Sequence, residues 1–511
     1  DDEIDLLKPH ILFLEQRGYD IVPVNNAAEA VELSEARHFD VVFLDEHMPG
    51  MSGLEALSQI KSYKPNLPVV MITKNEEEHI MEEAIGAKID DYLIKPINPS
   101  QILLSVKKIL DNRRLVTEKT NQSYQQEFRK ISMAFLDEMN HEEWVDIYKK
   151  LVHWDLQLDR ADSEMAEVLE SQKVEANVNF CRFVRKRYED WLNNPNVDKP
   201  LLSHQVMKKK IFPEIKPGKS LFMILIDNLR FDQWKVLEPI FDDYFTIDRE
   251  ETYYSILPTT TAYARNAIFS GLLPSEIQRT FPDWWVGEDE EEGKNNFEGE
   301  LLEKQIRKNN LPIRHHYIKI KKLEEGRDLA DNLANLYKND LNVIVYNFVD
   351  MLSHARTDMA MIRELAPDEA AYRSITRSWF EHSPLFEIIK KVAEKGHRLA
   401  ITTDHGTIRV KRPFKIVGDK SVNTNLRFKQ GKNLGFDGDK ILVASKPERF
   451  YLPKLNVSTA YVFAMEDQFF AYPNNYNYYV NFYKDTFQHG GISLEEMIVP
   501  LIFMSSKTGN G

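Results

Sequence analysis

Cys181 is the only cysteine among 511 residues. One thiol excludes an internal disulfide framework and any multi-cysteine zinc site, and it fits a reducing compartment, so a cytoplasmic protein is expected. Long apolar runs are missing too: none approaches the roughly 18 residues of a membrane-spanning helix, and no membrane insertion is expected. No secretory leader is seen at DDEIDLLKPH, which opens the chain without a methionine. Positive charge is not in excess. The formal net charge is −14, which repels nucleic acid over much of the surface and confines such a role to a local basic pocket. What is present is a globular balance, 42% hydrophobic and 29% charged, in a chain long enough for about two to four domains.

Three compositional regimes follow one another. Residues 1–112 alternate amphipathic stretches with short β-branched runs, YDIVPV, FDVVFLD, LPVVMIT and DDYLIKP. Such a βα repeat predicts a doubly wound parallel sheet, the flavodoxin-like variety of α/β fold. Residues 113–200 are rich in Glu, Lys, Gln and Leu, with 3.6-residue periodicity in windows such as FLDEMNHEEWVDIYKKLV. They predict an all-helical linker bundle, closed by the helix-breaking NNPNVDKP. From 201 to 511 strands and helices alternate again, and the acidic GEDEEEG reads as a solvated loop.

In the first region Asp1 and Asp2 are adjacent, and three predicted strands end at Asp45, Thr73 and Lys95. In an open α/β sheet these positions share the carboxyl edge. Three carboxylates there suit a hard ion such as Mg²⁺, while a hydroxyl and an ammonium suit phosphoryl oxygens, an assembly fit for phosphorylating an aspartate. Residues 1–112 resemble the receiver domain of two-component response regulators, without the strand that would precede the acid pair. The resemblance implies Asp45 as phospho-acceptor, Asp1 and Asp2 as magnesium-binding acids, and Thr73, Tyr92 and Lys95 as switch and phosphate contacts. It also implies a cognate sensor histidine kinase.

The third region repeats the pattern with histidine added. Apolar runs end at Asp227, at Asp350 with His354 four residues on, and at Asp404 beside His405; His489 precedes two glycines. Aspartate with histidine suits Zn²⁺, or Mn²⁺ where oxygen dominates, and the inventory suffices for two ions. PTTTAYARNAIFSG places a Pro-Thr turn before a helix whose N-terminus favours an anion. A threonine there is either a metal-bound nucleophile or an ordinary N-cap. The basic RVKRPFK directly after the Asp-His pair, and the aromatic FPDWW and YPNNYNYYVNFY, are candidate contacts to phosphates and bases. Gly406 reads as a point where the backbone turns away, Thr402 and Thr403 as strand residues.

Asp227, PTTT, the DxxxH at 350–354, the DH at 404–405 and the HGG at 489–491 resemble, in this order, the PglZ-type members of the alkaline-phosphatase superfamily over about residues 205–511. The resemblance implies one zinc held by Asp227, the nucleophile, Asp404 and His405, and another by Asp350, His354 and His489. It implies Thr261 as nucleophile, with Thr260 as nearest competitor. Arg265 is either a clamp for substrate phosphate or a surface arginine one helical turn on. The order receiver, helical linker, PglZ-type domain is similar to PorX-type response regulators. That likeness implies a phosphodiesterase acting on nucleotide or oligonucleotide substrates, a phosphorylation-dependent homodimer, and secretion-system or sigma-factor partners in type IX secretion. The competing readings are a non-enzymatic signalling adaptor with a metal-bound docking domain, and a phosphomonoesterase or phosphotransferase.

Overall fold

In a computed structural model of the chain, residues 1–74, 89–161, 165–216, 218–287, 293, 295–347, 349, 352, 366, 368–418, 423–436, 440–454, 456–474 and 476–509 are described. They divide between two compact units, one built on Asp1–Gln125, the other on Gln126–Arg160 and Glu164–Gly511. Asp350 and His354 lie outside the described residues.

The first unit holds a parallel sheet in the order Val42–Asp45, Val69–Thr73, Asp91–Ile94. Its middle strand is buried throughout, as a strand covered on both faces requires. Ser52 and Glu55 form a reciprocal capping box that starts the helix Gly53–Tyr63. Gly53 lies so close to the sheet that a Cβ there would meet the Asp45 carbonyl oxygen at 2.4 Å. YDIVPV, expected as a strand, joins no ladder among the described residues. Its apolar residues still pack, Tyr19 and Ile21 against Leu14, Ile102 and Val106, and Val24 against the Ala27 and Leu57 cluster. Alternation foretold the packing; a strand also needs a hydrogen-bonding neighbour, and no described segment supplies one.

The helix Pro99–Ala134 runs without a break through the expected boundary at 112/113. In the second unit the helices His141–Ala161 and Ala166–Asn193 follow. The latter buries Phe180, Cys181, Val184, Tyr188 and Trp191 at helical spacing. The lone thiol is a core residue: Cys181 Sγ donates to the Ile492 carbonyl at 3.1 Å, and burial pushes its pKa up.

The larger sheet has six strands in the order Phe245–Tyr254, Ile498–Ser506, Arg398–Thr402, Leu221–Ile226, Leu341–Tyr346, His315–Ile320. The last four are mutually parallel. Ile498–Ser506 is antiparallel to both its neighbours. Asp227 directly follows the buried run LFMILI, Asn347 follows LNVIVY, and Thr403 and Asp404 follow RLAIT. Three adjacent parallel strands therefore open on one edge, where such sheets place their ligands.

Candidate metal centres

At the edge of the larger sheet, Asp227, Asp404 and His405 each offer a ligand atom within 4.8 Å of the others, and all three are buried. Thr261 is the first residue of the helix Thr261–Ser270. Its Oγ1 lies 3.3 Å from Asp227 Oδ1 and 3.2 Å from His405 Nε2. The other threonines are placed differently. Thr259 Oγ1 donates to the Gly491 carbonyl at 2.9 Å and accepts from Gly490 N at 3.0 Å, tying the nucleophile turn to the loop after His489. Thr260 occupies the N-cap, yet its side chain makes no capping bond and its buried Oγ1 has no partner among the described residues. The N-cap reading thus fits neither, and the geometry places Thr261 Oγ1, alone of the three, among the cluster's ligand atoms.

The histidines are oriented by backbone carbonyls. A carbonyl only accepts, so His405 Nδ1–H donates to Gly406 O at 3.1 Å and His489 Nδ1–H to Thr259 O at 3.3 Å. Each ring then presents Nε2 as its ligand nitrogen. The rings stack, with centroids 4.3 Å apart and planes 23° from parallel, so His489 stands beside the first cluster. Gly406 has a different role from the expected turn. A Cβ there would meet the Glu495 carbonyl oxygen at 2.0 Å, so glycine is required by close approach of two backbones.

The carboxylates are held as firmly. Asp404 Oδ1 accepts from the Asn228 amide at 3.3 Å and the His405 amide at 3.2 Å. Asn228 reaches it in a left-handed conformation, φ 65°, which asparagine tolerates better than most residues. Thr403, read as a strand residue, instead braces the turn: its hydroxyl donates to the His405 carbonyl at 2.9 Å and accepts from Leu229 N at 2.9 Å. Thr402 is a strand residue, as expected.

Arg265 overturns the surface-arginine alternative and does not reach outward as a clamp. Fully buried one turn after Thr261, it pairs through NH2 with Asp227 Oδ2 and through Nε with Asp404 Oδ2 at 3.0 Å. Its NH1 donates to Asn347 Oδ1 at 3.2 Å and lies 3.6 Å from Glu298 Oε1. Burial opposes the Arg265 charge, but Asp227, Asp404 and Glu298 more than offset it, and the guanidinium stays protonated. Burial pushes the Asp404 carboxyl up, yet Arg265 and His405 hold it below its ordinary value. Asn228, Thr403, Asn347 and Glu298 had no sequence signal, because each acts through a fold-dependent contact.

Two carboxylates, an imidazole nitrogen and a hydroxyl converging in a buried site fit a borderline divalent ion such as zinc. In the first unit Asp1, Asp2 and Asp45 likewise offer ligand atoms within 4.8 Å of one another, all oxygen, which fits Mg²⁺. Lys95 Nζ donates to Asp45 Oδ2 at 2.6 Å and to Asp1 Oδ2 at 2.8 Å. Thr73 ends the neighbouring strand, buried, and its carbonyl accepts the Lys95 amide at 2.8 Å. Tyr92 packs partly buried against the apolar core beneath.

In the basic run read as a phosphate contact, three of the four cations are paired with acids, and Lys415 lies over the Tyr476 ring. Arg409 pairs with Asp485 at 3.2 Å, Lys411 with Glu170 at 2.5 Å, and Arg412 with Glu466 and Asp467. FPDWW packs inward: Phe281, Trp284 and Trp285 lie against the core of the larger sheet. YNYYVNFY forms a helix, Tyr476–Tyr483, with no buried residue and Tyr478 65% exposed, so this stretch keeps an aromatic face toward solvent.

Comparison with known proteins matches three family profiles in chain order. Residues 1–107 match the response regulator receiver domain, 114–192 the PorX response regulator linker domain, and 206–504 the BREX system PglZ alkaline phosphatase-like domain. Among curated relatives, the alginate biosynthesis transcriptional regulatory protein AlgB of Pseudomonas syringae pv. tomato is 36% identical over 115 residues, 22% of this chain and 26% of that protein. A cyclic di-GMP phosphodiesterase of Thermotoga maritima is 32% identical over 137 residues, 27% of this chain and 36% of that protein. The transcriptional regulatory protein ResD of Bacillus subtilis is 34% identical over 110 residues, 22% of this chain and 45% of that protein. The matched stretches span less than half of each of these relatives. Among solved structures, a CheY-like receiver domain protein from Methanospirillum hungatei is similar over 22% of this chain and 90% of its own, with 28% identity and a TM-score of 0.22. No described helix is long and apolar enough to cross a membrane. Over residues 206–504 the chain belongs to the PglZ alkaline phosphatase-like family, and it carries a response-regulator receiver and a PorX linker ahead of that domain.

Proposed function

We propose that this chain is a response regulator whose output is a zinc-dependent phosphodiesterase, with Thr261 as nucleophile and nucleotide-type diesters as substrates. The observation that carries the reading is the placement of Thr261 Oγ1 between Asp227 Oδ1 and His405 Nε2, at the start of a helix. Asp227, Thr261, Asp404 and His405 would hold one ion, and in the same reading Asp350, His354 and His489 would hold a second. Bound there, zinc supplies Lewis acidity and neutralises charge on the phosphoryl oxygens.

The residues do the rest. Thr261 Oγ1 attacks phosphorus, the P–O bond to the leaving alcohol breaks, and a phosphothreonine diester remains; water then cleaves it and restores the hydroxyl. The helix N-terminus faces the anion favourably throughout. Asp404 and His405 are fixed by backbone amides and carbonyls, so little reorganisation accompanies charge development. The exposed aromatic face of Tyr476–Tyr483 supports substrates with bases to stack. Turnover of bis-p-nitrophenyl phosphate, lost in Thr261→Val, tests the assignment; a monoester-only activity would favour the phosphatase reading instead.

In the same proposal Asp45 accepts the phosphoryl group from a sensor histidine kinase with Mg²⁺ held by Asp1, Asp2 and Asp45, and Thr73, Lys95 and Tyr92 respond to it. We take 1–112, 113–200 and 201–511 as the working domains, a homodimer as the phosphorylated state, and type IX secretion in the cytoplasm as the setting. Mass and diesterase rate with and without beryllofluoride test this; no change in either contradicts it.

A further inference from the structure

The second unit places a fixed cation in the middle of its candidate metal site. Arg265 touches one oxygen of each of two carboxylate ligands, Asp227 Oδ2 and Asp404 Oδ2. It is wholly buried and lies on the side of Asp227 away from Oδ1, the oxygen facing Thr261. Its other contacts leave most of its charge to the two aspartates. Asn347 is neutral, and Glu298, 3.6 Å away, already has Lys319 at 3.2 Å and the Tyr317 hydroxyl. The guanidinium therefore cancels one of the two negative charges of the ligand pair, and arginine keeps that charge at any working pH.

A charge count shows what this does. At the ion held by Asp227 and Asp404, two carboxylates and one divalent charge sum to zero; with Arg265 that ion's surroundings are net positive by one, added to the charge of the second ion in the proposal. A neutral centre would grip its ion but offer little to an anion. A positive one attracts the phosphoryl group, and in a buried site such attraction is strong. We infer that Arg265 is a built-in counter-cation that acts through Asp227 and Asp404, leaving the loaded centre with a positive charge for an incoming phosphate ester. This rests on the metal-centre reading above. Arg265 is a positioning residue on this account, since it touches the ligands rather than the substrate. The fork geometry matters as well: one guanidinium reaches three adjacent strand ends, through Asp227, Asn347 and Asp404, from the helix that carries Thr261.

The test uses the full chain as wild type, Arg265→Lys, Arg265→Gln and Arg265→Met. Zinc affinity is measured by competition with a chromophoric chelator, and the affinity of the zinc-loaded protein for inorganic phosphate by calorimetry. Arg265→Gln and Arg265→Met are expected to bind zinc at least as tightly as wild type, because the ligand pair is more negative. Both are expected to bind phosphate about tenfold or more weakly. Arg265→Lys, which keeps the charge but not the fork, recovers most of the phosphate affinity. Arg265→Gln retains hydrogen-bonding groups, so it carries the comparison should Arg265→Met fail to fold. Wild-type phosphate affinity in both neutral variants overturns the inference, as does loss of zinc from a folded Arg265→Gln. Equal loss in the lysine and glutamine variants also overturns it, since a structural role would not distinguish charge. A wild type that takes up no zinc overturns the metal-centre reading and this inference with it.

Discussion

Lys95 in the first unit and Arg265 in the second do the same thing: each bridges two aspartates at the carboxyl edge of a parallel sheet. Around that shared element the two sites diverge. In the first, Asp45 is buried and the Asp1 side chain 5% exposed, but Asp2 is exposed and the Lys95 side chain is 18% exposed; in the second, Asp227, Asp404, His405 and Arg265 are all buried. The first site has only oxygen donors, and its candidate phospho-acceptor is itself one of the acids. The second adds imidazole nitrogen, and a hydroxyl from a helix N-terminus stands opposite the acids. A partly open site whose described ligand atoms are all oxygen suits Mg²⁺ and transient phosphorylation; a buried site with histidine suits zinc and turnover. The sheet edge supplies the carboxylates in both, and burial together with the non-carboxylate donors decides the chemistry.

The sharpest way to break the comparison is to remove the two nucleophiles. Thr261→Val should lower diesterase turnover by about three orders of magnitude or more, while Asp45→Asn should abolish phosphoryl uptake from acetyl phosphate, read by phosphate-affinity electrophoresis. Next, His405→Ala should weaken zinc binding by more than the roughly 10–100-fold typical of losing a residue that only supports a ligand, as measured by chelator competition. Third, in the metal-free protein Arg265→Met strands two buried carboxylates and should cost about 3–5 kcal/mol in chemical denaturation.

Lys429 shows what a buried cation does with no acid paired to it among the described residues. It is 1% exposed, donates to the Asn423 carbonyl at 2.9 Å and faces the Tyr472 ring, and burial lowers its pKa from 10.5 to about 7. As pH falls from 10.5 toward 7, the unfolded chain takes up a proton that the folded chain does not. Wild type should therefore lose stability relative to Lys429→Met across that window, with no further change below it. Denaturation midpoints of the two proteins at several pH values check this.

Much of both sites was legible because an acid that ends an apolar run falls on the carboxyl edge whatever the rest of the fold does. Asp45, Asp227 and Asp404 are such residues, and His405 comes with its neighbour. YDIVPV was not legible as it stands, because alternation reports which side chains are covered and is silent on strand partners. Arg265 was ambiguous for a similar reason: its burial depends on three strand ends meeting under one helix. RVKRPFK read as a phosphate contact because its acids, Glu170, Glu466, Asp467 and Asp485, are remote in sequence. Thr403 and Gly406 look like ordinary strand and turn residues until Leu229 and Glu495 are placed against them.

In the proposed function, the buried cluster around Thr261 is a metal-dependent phosphodiesterase centre. The most direct measurement is bis-p-nitrophenyl phosphate turnover by the full chain before chelation, after chelation and after zinc is returned, with Thr261→Val alongside. Turnover should disappear on chelation, return with zinc, and be absent from Thr261→Val under all three conditions. Turnover that survives chelation, or that persists in the zinc-loaded Thr261→Val protein, would contradict the proposed function.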